Sequence, residues 1–140
     1  LILRICVFGH GDTMLTTKDL MLDNPKSVTP ELSVREARLL MEMEGIMQLP
    51  VLQHGKLVGI ITDRDLCLSI HSPNESTMRV EHCMTADPMT VTPDTPVYRT
   101  AQMLSTYKFG ALPVVDGEEL VGLITTSLLL AYFASKWDNR

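Results

Sequence analysis

Apolar and polar positions along the chain follow one order of patterns, and that order occurs twice. Val34, Ala37, Leu40 and Met41 fall on one face at helical period, and Ser33-Val34-Arg35-Glu36 has the spacing of a capping box at the start of that helix. Two β-rich apolar runs follow, at 49–52 and 57–62, parted by Gln53-His54-Gly55-Lys56, and together they predict a hairpin. The second run is continuous at Val58-Gly59-Ile60-Ile61, as expected of a strand buried on both faces, and its glycine predicts close approach by another backbone. A second helix is predicted over 63–70. The series then returns: a helix with Val97, Ala101 and Leu104 on one face, Thr95 able to cap it and Pro96 at its first position; hairpin runs at 112–115 and 120–125 around Asp116-Gly117; and a last helix over about 127–136. Ahead of each series stands an extended stretch ending in Val-Thr-Pro, where proline keeps the preceding residue out of the helical region.

The two series are in register. A constant offset of 63 carries Pro25, Val28, Thr29 and Pro30 onto Pro88, Val91, Thr92 and Pro93, then Leu49, Pro50 and Val51 onto Leu112, Pro113 and Val114, and Gly59, Ile61, Thr62 and Leu66 onto Gly122, Ile124, Thr125 and Leu129, without a gap. Two copies of one strand–helix–strand–strand–helix unit make a paired module, not a solenoid. The expected division is an N-terminal extension over 1–18, a first repeat over 19–77 and a second over 78–137, with polar residues 71–77 as the linker. Residues 1–13 are expected to be either a native strand packed on the core or an expression-derived remnant ahead of Met14.

Composition narrows the function classes. The chain has 140 residues, a formal charge of −5 and a pI near 5.3, with Lys and Arg scattered, so a nucleic-acid footprint is not expected. The apolar stretches are too short to span a membrane, and a soluble cytoplasmic protein is the expectation. Cys6, Cys67 and Cys83 have no Cys-x-x-Cys spacing and read as reduced thiols; the four histidines are scattered, and no metal site is expected. Gly9-His10-Gly11-Asp12 lacks the further glycine and lysine of a phosphate loop. No nucleophile turn of the Gly-x-Ser-x-Gly type is present, and catalysis is not expected. Met41, Met43 and Met47 read as a soft surface or as core filler, with core favoured, whereas Leu128-Leu129-Leu130-Ala131-Tyr132-Phe133 exceeds what one buried helix face needs.

The order of elements, the Leu-Pro-Val before each hairpin, the Gly-hydrophobic-hydrophobic-Thr that ends it and the doubling in register together resemble a tandem pair of cystathionine beta-synthase (CBS) domains, often called a Bateman module, over roughly 20–136. The resemblance implies an α+β fold in which two pseudo-symmetric repeats pack through their sheets. It also implies frequent homodimerisation, and regulatory binding of AMP, ADP, ATP or S-adenosylmethionine in clefts between the repeats. It implies no required cofactor and no catalysis by the module itself; what is regulated would be a separate effector protein or a part of the polypeptide outside the repeats.

The copies diverge most after the last strand. The first reads Gly59-Ile60-Ile61-Thr62-Asp63-Arg64-Asp65-Leu66, and the second has Leu128 where Asp65 stands in the first. An ionised carboxylate accepts two adjacent hydrogen bonds, which suits the 2′ and 3′ hydroxyls of a ribose, and a threonine at a helix start offers a hydroxyl and backbone donors to a phosphate. By resemblance Asp65 is assigned to the ribose and Thr62, with Arg64, to the phosphate side, and Asp63 between them is counted among the ligand-binding residues. Carried across in the same way, Phe109, Gly110 and Ala111 with Met84 and Met89 would surround the adenine. Strong nucleotide binders of that family often carry a basic residue just before Leu-Pro; Gly110-Ala111 and Met47-Gln48 offer none, so the resemblance implies a monophosphate, a nucleoside or S-adenosylmethionine over a triphosphate. The competing roles are a plain helix cap for Thr62 and Asp65 and, for the whole chain, a structural dimerisation or interaction module with empty clefts.

Overall fold

The computed structural model describes residues 14–137; the expectations for 1–13, including Cys6 and the Gly9-His10-Gly11-Asp12 stretch, lie outside the described residues. The first copy comprises a one-turn helix α1 (Thr17–Leu20), a short strand β1 (Leu22–Asp23), helix α2 (Val34–Glu44), the hairpin β2 (Gln48–Gln53) and β3 (Lys56–Thr62), and helix α3 (Asp63–Ser69). The second comprises α4 (Val80–Cys83), β4 (Thr85–Ala86), α5 (Val97–Tyr107), β5 (Ala111–Asp116), β6 (Glu119–Thr125) and α6 (Thr126–Trp137). The α+β class and the doubled strand–helix–strand–strand–helix order are those expected; α1 and α4 are additions, each too short to show a helical period.

Local signals account for most boundaries. Ser33 Oγ accepts from the Glu36 amide at 3.1 Å and Glu36 Oε2 accepts from the Ser33 amide at 3.4 Å, closing the predicted capping box, and α2 ends at Gly45 with φ +65°. Helix α5 departs from expectation. Its N-cap is Pro96, and Thr95 Oγ1 accepts from the Thr92 amide at 3.0 Å, while the Thr95 carbonyl accepts from the Thr17 amide at 2.8 Å. The chain at 95 is thus committed to holding α1. Among the three methionines only Met41 is core; Met43 and Met47 are 74% and 56% exposed.

The short strands cross between copies. Strand β1 pairs with β6, Leu22 opposite Leu123 and Asp23 opposite Gly122; β4 pairs with β3, Ala86 opposite Gly59 and Thr85 opposite Ile60. Each sheet, β1-β6-β5 and β2-β3-β4, therefore takes an edge from the other half of the sequence. The glycines allow this. A Cβ on Gly59 would stand 3.0 Å from the Thr85 carbonyl oxygen and 2.5 Å from Met84 Sδ, and one on Gly122 would stand 3.0 Å from the Leu22 oxygen and against Met21 Sδ. Burial in β3 alternates, with Gly59 and Ile61 buried and Val58 and Ile60 half-buried, whereas Gly122, Leu123 and Ile124 of β6 are all buried.

The one-turn helices cross in the same sense. The Thr17 and Lys18 amides donate to Thr95 and Pro93 at 2.8 and 3.0 Å, and the equivalent Val80 and Glu81 amides donate to Leu32 and Pro30 at 2.8 and 3.0 Å. The packing beneath them differs. Thr17 Oγ1 and Thr100 Oγ1 share a buried hydrogen bond of 2.7 Å, where the other junction sets Val80 beside the position of Ala37, both fully buried. Thr17→Val leaves the Thr100 hydroxyl without that partner and also removes the 2.7 Å bond that Thr17 Oγ1 donates to the Thr95 carbonyl; it is expected to cost about 1–3 kcal/mol, the part due to Thr100 being recovered in Thr17→Val/Thr100→Ala. Urea denaturation of the single and double variants checks this; an equal or larger loss in the double variant would contradict it.

Behind each sheet lies its own apolar cluster, one around Val34, Met41, Leu49, Ile61 and Leu66, the other around Leu104, Leu112, Ile124 and Leu129.

Candidate functional site

Crossing the lead-in segments leaves a cleft at the end of each hairpin, walled on one side by one copy and on the other by its counterpart. The first, about 200 Å3, is lined by Ile60 and Thr62 of β3, by Thr85, Asp87, Pro88 and Met89 of the second lead-in, and by Phe109, Gly110, Ala111, Leu112 and Pro113. The second, about 370 Å3, is lined by several equivalent positions, among them Leu22, Pro25, Lys26, Met47 and Thr125, and also by Ser127 and Leu128, whose counterparts Arg64 and Asp65 do not line the first. Gln48 lines both. It also explains Gly110, where an added Cβ would stand 3.1 Å from Gln48 Nε2.

Thr62, Met89, Phe109, Gly110 and Ala111 are thus gathered into one cavity. Asp63, Arg64, Asp65 and Met84 lie outside its lining. Asp63 faces a groove with Arg38, Glu42 and Cys67, and its amide donates to the Met47 carbonyl at 2.9 Å; Arg64 is exposed; Met84 packs over Gly59 against the first core. Asp65 is half-buried directly behind Thr62. Its Oδ2 accepts from the Thr62 amide at 3.0 Å, and Thr62 Oγ1 accepts from the Asp65 amide at 3.2 Å, a reciprocal cap on α3. In the second copy Thr125 Oγ1 accepts from the Leu128 amide at 3.1 Å, so α6 keeps the threonine half of this cap with leucine at the aspartate position.

The charge of Asp65 reaches α4. Burial pushes the Cys83 thiol up from its ordinary value, and the Asp65 carboxylate pushes it further in the same direction, since both disfavour thiolate. Asp65→Asn is therefore expected to raise the alkylation rate of Cys83 at a fixed pH near neutrality. Iodoacetamide labelling with residue-resolved mass spectrometry checks this; an unchanged rate would show that Cys83 does not sense the carboxylate.

Several lining residues are not marked by the Thr-x-x-Asp spacing, among them Gln48, Asp87 and Lys26. Asp87 and its equivalent Asn24 both have positive φ, 47° and 46°, a conformation that Asp and Asn tolerate better than most residues. The signal was the Asx-Pro pair at each lead-in, Asn24-Pro25 and Asp87-Pro88, which marks a turn. Lys26 occupies the position that Met89 holds in the other cleft.

Among the described residues, no group of three or more His, Cys, Asp and Glu could hold a metal ion, and no helix is long and apolar enough to cross a membrane. A family model of the CBS domain matches residues 18–72 and again 80–135. The chain belongs to the CBS domain family. As a CBS pair it is 30% identical to the CBS domain pair of protein MJ0100, solved in complex with 5′-methylthioadenosine and S-adenosyl-L-methionine, with a TM-score of 0.81 over 89% of this chain and 99% of that one. CBSX2, solved in complex with AMP, is 30% identical with a TM-score of 0.76, covering 86% of this chain and 98% of that one. Among curated proteins, an inosine-5′-monophosphate dehydrogenase of Korarchaeum cryptofilum is 42% identical over 100 residues, 71% of this chain and 20% of the enzyme. The CBS pair thus spans about a fifth of that relative's length.

Proposed function

We propose that this CBS pair is a regulatory ligand-sensing module that binds an adenosyl ligand in the Thr62 cleft. The observation that carries the reading is the cavity itself, which joins Thr62 of the first copy to Met89, Phe109, Gly110 and Ala111 of the second. Phe109 and Met89, each 39% exposed, offer an aromatic and a polarisable surface to a purine face. In this reading Asp65, which stands behind Thr62 and outside the cavity lining, is the ribose clamp: a carboxylate has about four acceptor positions, and the contact to Thr62 occupies one oxygen. The domain pairs solved with 5′-methylthioadenosine, S-adenosyl-L-methionine and AMP support the same ligand class.

A ligand seated there touches both copies, and it shifts their arrangement by as much as its affinities for the two arrangements differ. The pair itself is not a catalyst in this reading. Its effector is a separate protein or a further part of the same polypeptide, and the setting is cytoplasmic. Calorimetric titration of ligand-stripped protein with S-adenosylmethionine, 5′-methylthioadenosine, AMP, ADP and ATP tests the proposal: saturable binding of at least one is expected, with ATP weakest. No heat and no displacement by any of the five would sink it.

One observation favours a second reading, a homodimerising interaction module with empty clefts. Leu130 and Phe133 of α6 are 64% and 54% exposed, a larger apolar surface than the fold uses. In that case Phe133→Ser would convert a dimer into a monomer by sedimentation, and no adenosyl compound would alter the dimer.

A further inference from the structure

We infer that two copies of this chain associate head to tail through their helical faces: the α2/α3 face of one molecule seats on the α5/α6 face of a second, and the reciprocal contact closes a two-fold dimer. The inference is independent of what fills the clefts. It gives the exposed apolar surface of α6 one partner, the acidic helical face of a second copy.

Each copy carries a groove between its two helices. The first, about 280 Å3, is lined by Arg38, Met41 and Glu42 of α2 and by Asp63, Leu66 and Cys67 of α3, with Ile46 and Ile70 beside them. The second, about 630 Å3, lies between α5 and α6, and every residue lining the first has its counterpart there at the 63-residue offset. Equivalent places hold different chemistry. Arg38, Glu42, Asp63 and Cys67 of the first groove are Ala101, Ser105, Thr126 and Leu130 in the second. The charges divide in the same way: α2 and α3 carry five acidic and three basic residues, whereas α5 and α6 carry two basic residues, Arg99 and Lys136, and no acidic one. Lys108 adds a further cation in the second lining. In the first, Arg38 is already paired with Glu75 of the linker at 3.2 Å, which leaves Glu42 and Asp63 without an ion pair among the described residues.

Pairing like with like would set a net negative face against itself and a net positive face against itself. Head-to-tail pairing brings opposite signs together twice, and it lays Leu130 and Phe133, both more than half exposed, over the apolar floor that Met41 and Leu66 give the first groove. Charge complementarity sets direction and partner more than it adds affinity, so the apolar side chains supply the adhesion. Because the same contact is made twice about one axis, assembly stops at two chains.

Sedimentation velocity of the whole chain is expected to show a dimer that dissociates more readily as salt rises. Lys108→Glu should weaken it about ten-fold, because the reversed charge meets the acidic face twice per dimer. Disulfide trapping reads the direction, since Cys67 is exposed in the first groove and its equivalent in the second is Leu130. Under mild oxidation at low protein concentration, Leu130→Cys should join position 130 to Cys67 of the partner subunit, as identified by mass spectrometry of unreduced peptides. Cys67→Ser in that background should remove the bond, and the wild type should form no bond between Cys67 and Cys67 of the partner subunit. A monomer at every concentration, a bond joining 67 to 67 or 130 to 130, or a dimer that forms none of these bonds would overturn the inference and leave the adenosyl reading standing.

Discussion

Asp65→Ala is expected to abolish measurable binding of 5′-methylthioadenosine while lowering stability by only about 0.5–2 kcal/mol. The binding loss follows from the clamp: two ribose hydroxyls donate to one carboxylate, each such bond is worth roughly 1.5–3 kcal/mol when the acceptor is charged, and losing both weakens binding by about a hundred-fold or more. The stability loss is small because α3 keeps half of its cap. Thr62 Oγ1 still accepts from the amide of residue 65, as Thr125 Oγ1 does from Leu128 in the copy with leucine at that position. Calorimetric titration beside thermal denaturation separates the two effects. Unchanged affinity would make Asp65 a cap and nothing more, and a loss of stability well beyond 2 kcal/mol would mean that the carboxylate holds the fold.

Leu112→Ala should destabilise the protein by about 2–5 kcal/mol, a large share of the 5–15 kcal/mol typical of a domain, and should do so for both copies at once. Leu112 is 1% exposed at the centre of the second cluster, in the position Leu49 holds, fully buried, in the first. Were the clusters independent, the first copy would be indifferent. They are not, because each sheet borrows its edge strand from the other half and each one-turn helix is hydrogen-bonded across the junction. Loss of the second hairpin strips β1 from its partner and frees α1, so the unit of unfolding is the pair. Hydrogen exchange reads this out: the slowest amides of β3 should lose protection as far as those of β6. Protection retained in β3 would show two domains that unfold separately.

The repeat was legible because shared apolar positions at a fixed offset record a shared core. Gly59 and Gly122 even announced a close backbone approach, and the structure supplies the approaching strands, β4 and β1. What approached was not legible. A strand of two residues carries no periodicity, so nothing in Leu22-Asp23 or Thr85-Ala86 says which hairpin it joins. The same limit applies to Thr95, whose capping role was displaced by a carbonyl acceptor for Thr17, 78 residues away. At the cleft, the comparison of copies singled out Thr62 and Asp65, where one polar residue had been replaced by an apolar one. It passed over Lys26, because the telling change there runs the other way, from methionine in one copy to lysine in its partner. Gln48 was also invisible: its equivalent is Ala111, and only the folded pair shows that a longer side chain there walls both clefts.

The central claim, an adenosyl site between the copies, is met most directly by mapping amide chemical shifts of the labelled protein as 5′-methylthioadenosine is added. The largest changes should fall on Thr62, Met89, Phe109, Gly110 and Ala111, residues drawn from both copies and joined by one cavity. Changes confined to the outer face of α6 around Leu130 and Phe133, or no saturable change at all, would contradict it.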